Sequence, residues 1–222
     1  MGKIDIKGDI VSDDVGSFYE WFGMSSTYPK LVQDAIANDE DEEITLNIAS
    51  NGGDVFAASE IYTMLKASGK RIVVNVQGLA ASAASVISMA GDTVRISPTA
   101  HIMIHKASTG IVGNSDDLEH QSAVLNSIDE SIALAYEMKT GLKQPELLDL
   151  MAKETWLNAK TAVDKGFADE IMFFENNEED IMVTNATHQL PSKSAIAKFK
   201  NMIATPKTNT LREQKLAILL EK

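Results

Sequence analysis

The sequence predicts an α/β fold built from repeated βαβ units. Segments with strand periodicity alternate with amphipathic helical segments, and parallel strands need such crossovers between them. Residues 71–76 (RIVVNV) are almost continuously apolar, as expected in the middle of a sheet covered on both faces. A chain of 222 residues with 44% apolar and 23% charged content can bury one sizeable core, which excludes wholesale disorder.

The elements follow in order. Residues 3–10 (KIDIKGDI) alternate apolar and polar and read as the first strand. A turn over 23–29 leads into a short helix, 29–38, carrying Leu31, Ala35 and Ile36, and the acidic run 39–43 reads as a solvated loop. Residues 44–49 (ITLNIA) make the second strand and Asn51-Gly52-Gly53 a turn. Asp54 then opens a helix through Lys66 with Val55, Ala58, Ile61, Tyr62 and Leu65 on one face, and Gly69 ends it. After the strand 71–76, Gly78 starts a turn, and 80–90 (AASAASVISMA) reads as a helix of small residues able to lie close to its neighbours. Strands at 93–96 and 101–105 are separated by Ser97-Pro98, and 106–114 is a polar loop. Residues 116–139 form one long helix with Leu118, Leu125, Ile128, Ile132 and Ala135 in a stripe. At about 36 Å it is longer than a small domain needs, so its far end is expected to pack outside the monomer. Gly141 caps it, Pro145 starts a short helix, 159–165 makes another, and 171–174 is the last strand.

Composition excludes several functions. No apolar run reaches 18 residues and the start has no signal-peptide core, so a membrane span and Sec export are not expected. The absence of cysteine removes disulfides, thiolate zinc sites, Fe–S clusters and a cysteine nucleophile, and fits a reducing cytoplasm. A net charge of −12 argues against a general nucleic-acid binder. The charge is uneven: Ser192 to Lys222 carries +5, leaving −17 on the rest. This shift, with Pro191 at the junction, divides the chain into a domain, 1–185, and a basic tail, 186–222, partly helical or disordered. The tail is either a solvated terminus or a docking segment for an acidic partner.

Few residues remain for chemistry. GxGxxG, GxxxxGK[ST] and HExxH are absent. His101 and His105 lie about 13 Å apart along a strand, too far to share a metal, so a metal hydrolase is not expected; the acyl-enzyme chemistry argued below implies no metal or organic cofactor. Three junctions stand out. The paired glycines of Ser50-Asn51-Gly52-Gly53 are an ordinary tight turn or a set of oxyanion donors. Ser82, in GLAAS, opens a helix after a buried strand, as a capping residue or as a nucleophile beside the free N–H of Ala83; Ser85 and Ser88 are rival nucleophiles on the same helix. His105 closes a strand, as a structural histidine or as a base facing a cleft. Together these are the parts of an acyl-transfer site, and the absence of GxSxG sets it apart from the α/β-hydrolase elbow.

These residues carry a resemblance. The segments NIASNGGDVFAASEIYTML, VQGLAASAASVISMAG, HIMIHKASTGIVGNSDDL and KTGLKQPELLDLMAKETWLNAKTAVDKGFADEI resemble ClpP-type serine peptidases, in family order and spacing, over about residues 3–172. The resemblance extends to the phage ClpP-related head maturation (prohead) proteases. It implies the ClpP/crotonase-like fold, with the long helix as a protruding handle through which rings stack. It implies Ser82 as nucleophile, His105 as general base, and Gly53 and Ala83 as backbone oxyanion donors. Asp54, Val55 and Phe56 match a strand that pairs with extended substrate, and Lys106, Ala107 and Ser108 its other wall. The triad acid of the family, an aspartate before [FW]-[LM]-[SN]-A, matches Glu154 in ETWLNA, with Asp169 a weaker substitute. Asn51 stands where the family has proline, and the chain starts almost directly on its first strand, which puts dependence on an ATPase unfoldase in doubt.

The function expected is a serine endopeptidase acting through an acyl-enzyme on a phage or prophage capsid or scaffold protein. By family analogy it works as a homo-oligomer, a heptameric ring or two stacked rings, in the bacterial host cytoplasm or within a procapsid. Two other readings remain open: an ATP-dependent proteolytic subunit working with an unfoldase, and a catalytically silent assembly subunit, for which Glu154 is the only hint.

Overall fold

Alternation builds the first strand, β1 (Gly2–Ile10), with Ile4, Ile6 and Ile10 buried. The computed structural model describes residues 2–173. The expected boundary at 185, the tail 186–222 and the end of the expected last strand lie outside the described residues.

The remaining elements are α1 (Asp13–Trp21), β2 (Ser26–Thr27), α2 (Pro29–Ala37), β3 (Glu43–Gly53) and α3 (Val55–Ala67). They continue with β4 (Arg71–Ala81), α4 (Ala83–Ser88), β5 (Thr93–Ile96), β6 (His101–Ile104) and α5 (Ser115–Thr140). The last are α6 (Gln144–Ala152), β7 (Thr155–Asn158), α7 (Ala159–Asp164) and β8 (Glu170–Ile171). The sheet runs β2-β1-β3-β4-β5-β8, with every pair on this path parallel; β6 joins β4 in parallel and β7 antiparallel. This is the expected α/β architecture with its crossover helices. The centre of the sheet is fully buried at Ile44, Leu46, Ile48, Val74 and Val76, each contributing roughly 1.5–3 kcal/mol.

Two expected turns prove to be strand. β3 runs on through Asn51-Gly52-Gly53, because Gly52 and Gly53 pair with Asp9 and Ile10 of β1. β4 continues past Gly78, so α4 starts at Ala83 instead of residue 80. Between the pairs Ile48↔Val76 and Ser50↔Ala80 the register shifts, with β4 carrying the extra residues around Gly78. That bulge divides β4: its first half pairs with β5, and its second half pairs with β6 through Leu79↔His101 and Ala81↔Met103.

Three short elements went unread. α1 follows a Ser-Asp-Asp start but leaves Phe18 57% and Trp21 81% exposed, so it has no buried stripe to announce it. β2 fell within the expected turn; its Thr27 hydroxyl bridges both the N–H and the C=O of Lys7 in β1. β7 lay within the motif matched for the triad acid.

The long helix α5 starts on a capping box between Asn114 and Asp117 and stops at Gly141, which is left-handed with φ 74°. Its buried residues are Asp129, Ile132, Ala133 and Tyr136, all in the second half. The first turns, through His120, are exposed to solvent. Among the described residues, no helix is long and apolar enough to cross a membrane.

Candidate active site

Ser82 is the single residue between β4 and α4. Its backbone is strained, with φ 52° and ψ −122°, in a region that L residues avoid. Neighbours on both sides hold it there. The Ser82 N–H donates to the Met103 carbonyl of β6 at 2.9 Å, and its carbonyl accepts from the N–H of Ser85 at 2.9 Å. The Ser85 hydroxyl also donates to the Ser82 carbonyl at 2.5 Å and lies 2.8 Å from the Tyr136 hydroxyl of α5. Burial pushes the Tyr136 phenol far above its usual range, so it stays neutral and serves this contact. The rival Ser88 is fully buried and donates to the Ser85 carbonyl at 2.6 Å. Ser85 and Ser88 are thus packing residues, and Ser82 alone of the three faces a cleft.

His105 follows β6 directly. Its Nε2 lies 2.7 Å from the Ser82 hydroxyl oxygen. Two strands fix this approach: β4 delivers Ser82 and β6 delivers His105, and they pair side by side through Ala81↔Met103.

The glycine segment closes on the same turn. Gly52 has φ 98°, and a Cβ there would stand 2.7 Å from the Ser82 Cβ and 2.9 Å from the Ala83 nitrogen. Only a hydrogen fits between the two segments. The Ser50 hydroxyl accepts from the Gly52 N–H at 3.0 Å and donates to the Gly8 carbonyl at 2.6 Å, and the Asp54 N–H donates to the Ile10 carbonyl at 2.7 Å. Gly53 and Ala83, the two expected oxyanion donors, line one cleft of about 380 Å³ together with Ser82 and His105.

The walls of this cleft differ in part from expectation. Asp54, Val55 and Phe56 line it, but they are not a strand: Asp54 is the N-cap of α3, accepting from the N–H of Phe56 at 2.7 Å and of Ala57 at 3.0 Å. The carboxylate takes up those free donors and starts the helix, and Phe56 is 69% exposed. On the opposite side Ala107 and Ser108 line the cleft, while Lys106 turns to Asp129 of α5, 3.6 Å away. The floor comes from Val86, Ile128, Ile132 and Tyr136. Ile128, Ile132 and Tyr136 are spaced by four on α5, a periodicity legible in the sequence as packing but not as part of a site.

The antiparallel ladder of β6 and β7 ends at the pair Ile104↔Thr155, and His105 and Glu154 each flank that last pair in sequence. The Glu154 φ of 48° marks a sharp entry into β7. The Glu154 carboxylate, however, accepts from the Trp156 indole N–H at 3.2 Å, and among the described residues no hydrogen bond joins it to His105. Asp169, the weaker substitute, is engaged elsewhere: its carboxylate accepts from the Val94 N–H at 2.6 Å and pairs with Lys139 at 2.8 Å.

Comparison with known proteins adds the following. A family model described as Clp protease matches residues 27–175. The ATP-dependent Clp protease proteolytic subunit of Deinococcus radiodurans is 31% identical over 134 residues, covering 60% of this chain and 66% of that protein. Proteolytic subunit 1 of Chlamydia abortus is 31% identical over 140 residues, covering 61% of this chain and 73% of that protein. Proteolytic subunit 2 of Treponema denticola is 30% identical over 140 residues, covering 62% and 68%.

Proposed function

The chain belongs to the Clp protease family, and from that premise we propose that it is a serine endopeptidase working through an acyl-enzyme. Ser82 Oγ attacks the scissile carbonyl while His105 Nε2 takes its proton. The N–H groups of Gly53 and Ala83 hold the oxyanion, and His105 returns the proton to the leaving amine. Water then enters by the reverse sequence and frees Ser82. The observation that carries this reading is the 2.7 Å hydrogen bond between Ser82 and His105, at the meeting point of two strands and a glycine turn.

Glu154 orients His105. Its support is its place in sequence next to Thr155, which pairs with Ile104 beside His105 at the end of the β6–β7 ladder. The working form is a homo-oligomeric ring, supported by the length of α5 and its exposed first half. The substrate is an extended polypeptide of a phage capsid or scaffold, a reading supported by the four matched segments alone.

Labelling with a fluorophosphonate probe, mass mapping of the modified residue, and the assembled mass by light scattering test this together. Modification at Ser82 in a large particle, abolished by Ser82→Ala with the fold retained, is the expected result. Equal loss from Ser85→Ala overturns the choice of nucleophile, and no labelling in any assembly state leaves a silent assembly subunit. The relatives named as ATP-dependent subunits define a second reading. Cleavage of folded substrate only when an unfoldase and ATP are added would favour it.

A further inference from the structure

We propose that Asp129 is a positioning residue that pre-forms the substrate-pairing wall of the cleft. This rests on the peptidase reading above. Asp129 sits on α5 and is only 3% exposed, the one buried ionisable residue with a carboxylate in the described core. A buried carboxylate is costly unless its oxygens are satisfied. Both of its oxygens are used on the segment directly after His105: Oδ1 accepts from the Ala107 N–H at 2.8 Å, and Oδ2 meets the Lys106 ammonium at 3.6 Å.

Beyond Ile104 the segment has left β6 and has no sheet partner to hold it. Asp129 supplies what a neighbouring strand would otherwise supply. In an extended chain the N–H and C=O of successive residues point to opposite sides. With the Ala107 N–H turned to Asp129, an extended course through this segment turns the backbone groups of the flanking residues the other way, and Ser108 lines the cleft. Asp129 therefore selects which residues pair with substrate and spares the ordering cost on binding. The Lys106 ammonium, itself partly exposed, meets the carboxylate from the solvent side.

The test compares wild type, Asp129→Asn and Asp129→Ala on three readouts: the fluorophosphonate labelling rate, hydrolysis of a small activated ester, and KM and kcat for an extended peptide. Labelling and ester hydrolysis need Ser82 and His105 but no wall. For Asp129→Ala the expected result is a KM on the peptide raised about tenfold, with kcat, labelling and ester hydrolysis within about twofold of wild type. Asp129→Asn keeps an oxygen for the Ala107 N–H and should recover most of that loss. An unchanged peptide KM in Asp129→Ala overturns the proposal. So does a parallel loss on all three readouts, which would mean that Asp129 supports the fold as a whole. Absence of labelling and ester hydrolysis in the wild type would instead overturn the peptidase reading, and this one with it.

Discussion

Replacing Gly52 with alanine should disable the nucleophile turn while most of the fold survives. Gly52 has φ 98°, a region that costs an L side chain about 1–2 kcal/mol. The new Cβ would also lie 2.6 Å from the Ala81 carbonyl oxygen, 2.7 Å from the Ser82 Cβ and 2.9 Å from the Ala83 nitrogen. None of these is the end of a flexible side chain. The Ser82 N–H bond to Met103 and the Ser85 bonds to the Ser82 carbonyl resist the displacement from both sides. Relief therefore needs a backbone shift of roughly half an ångström, because close-packed interiors have no slack to absorb it. A shift of that size at a reacting group costs about 10- to 100-fold in rate. Gly69 provides the control: its φ is 70° and a Cβ there meets nothing within 4 Å. Gly69→Ala should lose about 1 kcal/mol of stability and no activity. The assay is the fluorophosphonate labelling rate at Ser82 together with urea unfolding for both variants. Gly52→Ala labelled at the wild-type rate, or Gly69→Ala slowed as much as Gly52→Ala, would refute the reasoning.

Three further outcomes are expected. Ser82→Gly and Ser82→Ala both lose the hydroxyl, so their stability difference isolates the strain at φ 52°; the glycine variant should be more stable by about 1 kcal/mol in urea unfolding, and equal stability would show an unstrained turn. Tyr136→Phe removes the 2.8 Å contact with Ser85. Because Ser85 keeps its bond to the Ser82 carbonyl, the variant should cost about 1 kcal/mol and slow labelling less than threefold; a larger slowing would make Tyr136 a positioning residue for Ser82. The Asp5 carboxyl is held below its usual value of 3.8, first by the Asn47 amide and then by Lys7. Its contribution to stability is complete above that unfolded value and is lost as pH falls through the lowered folded one. Asp5→Asn should therefore unfold with a flatter pH dependence below about pH 4, read from urea midpoints at descending pH; an unchanged slope would remove Asp5 from the account of acid sensitivity.

The parts of the site legible in the sequence were those with a local signal. Ser82 and His105 each stand directly after a strand, and the paired glycines of 52 and 53 mark a backbone of unusual dihedrals. Asp129 carried no such signal. It stands within the apolar stripe of α5, four residues after Leu125 and three before Ile132, and its partners are 22 and 23 residues away in sequence. Glu154 was singled out by its position before Trp156-Leu157-Asn158-Ala159, but its contact with the Trp156 indole depends on rotamers that a pattern of residue types does not contain.

Local periodicity and turn chemistry thus determined the order of elements, the covered sheet, the long helix with its Gly141 stop, and the serine and histidine at strand ends. These follow from interactions within a few residues along the chain. The tertiary structure decided where β3 and β4 end, since Gly52 and Gly53 became strand once β1 offered them partners, and residues 79–81 once β6 did. It also decided that Asp129 of α5 holds the segment after His105. The physical reason is the same in each case: a backbone N–H or a carboxylate must be satisfied when it is buried, and the group that satisfies it comes from a distant part of the chain.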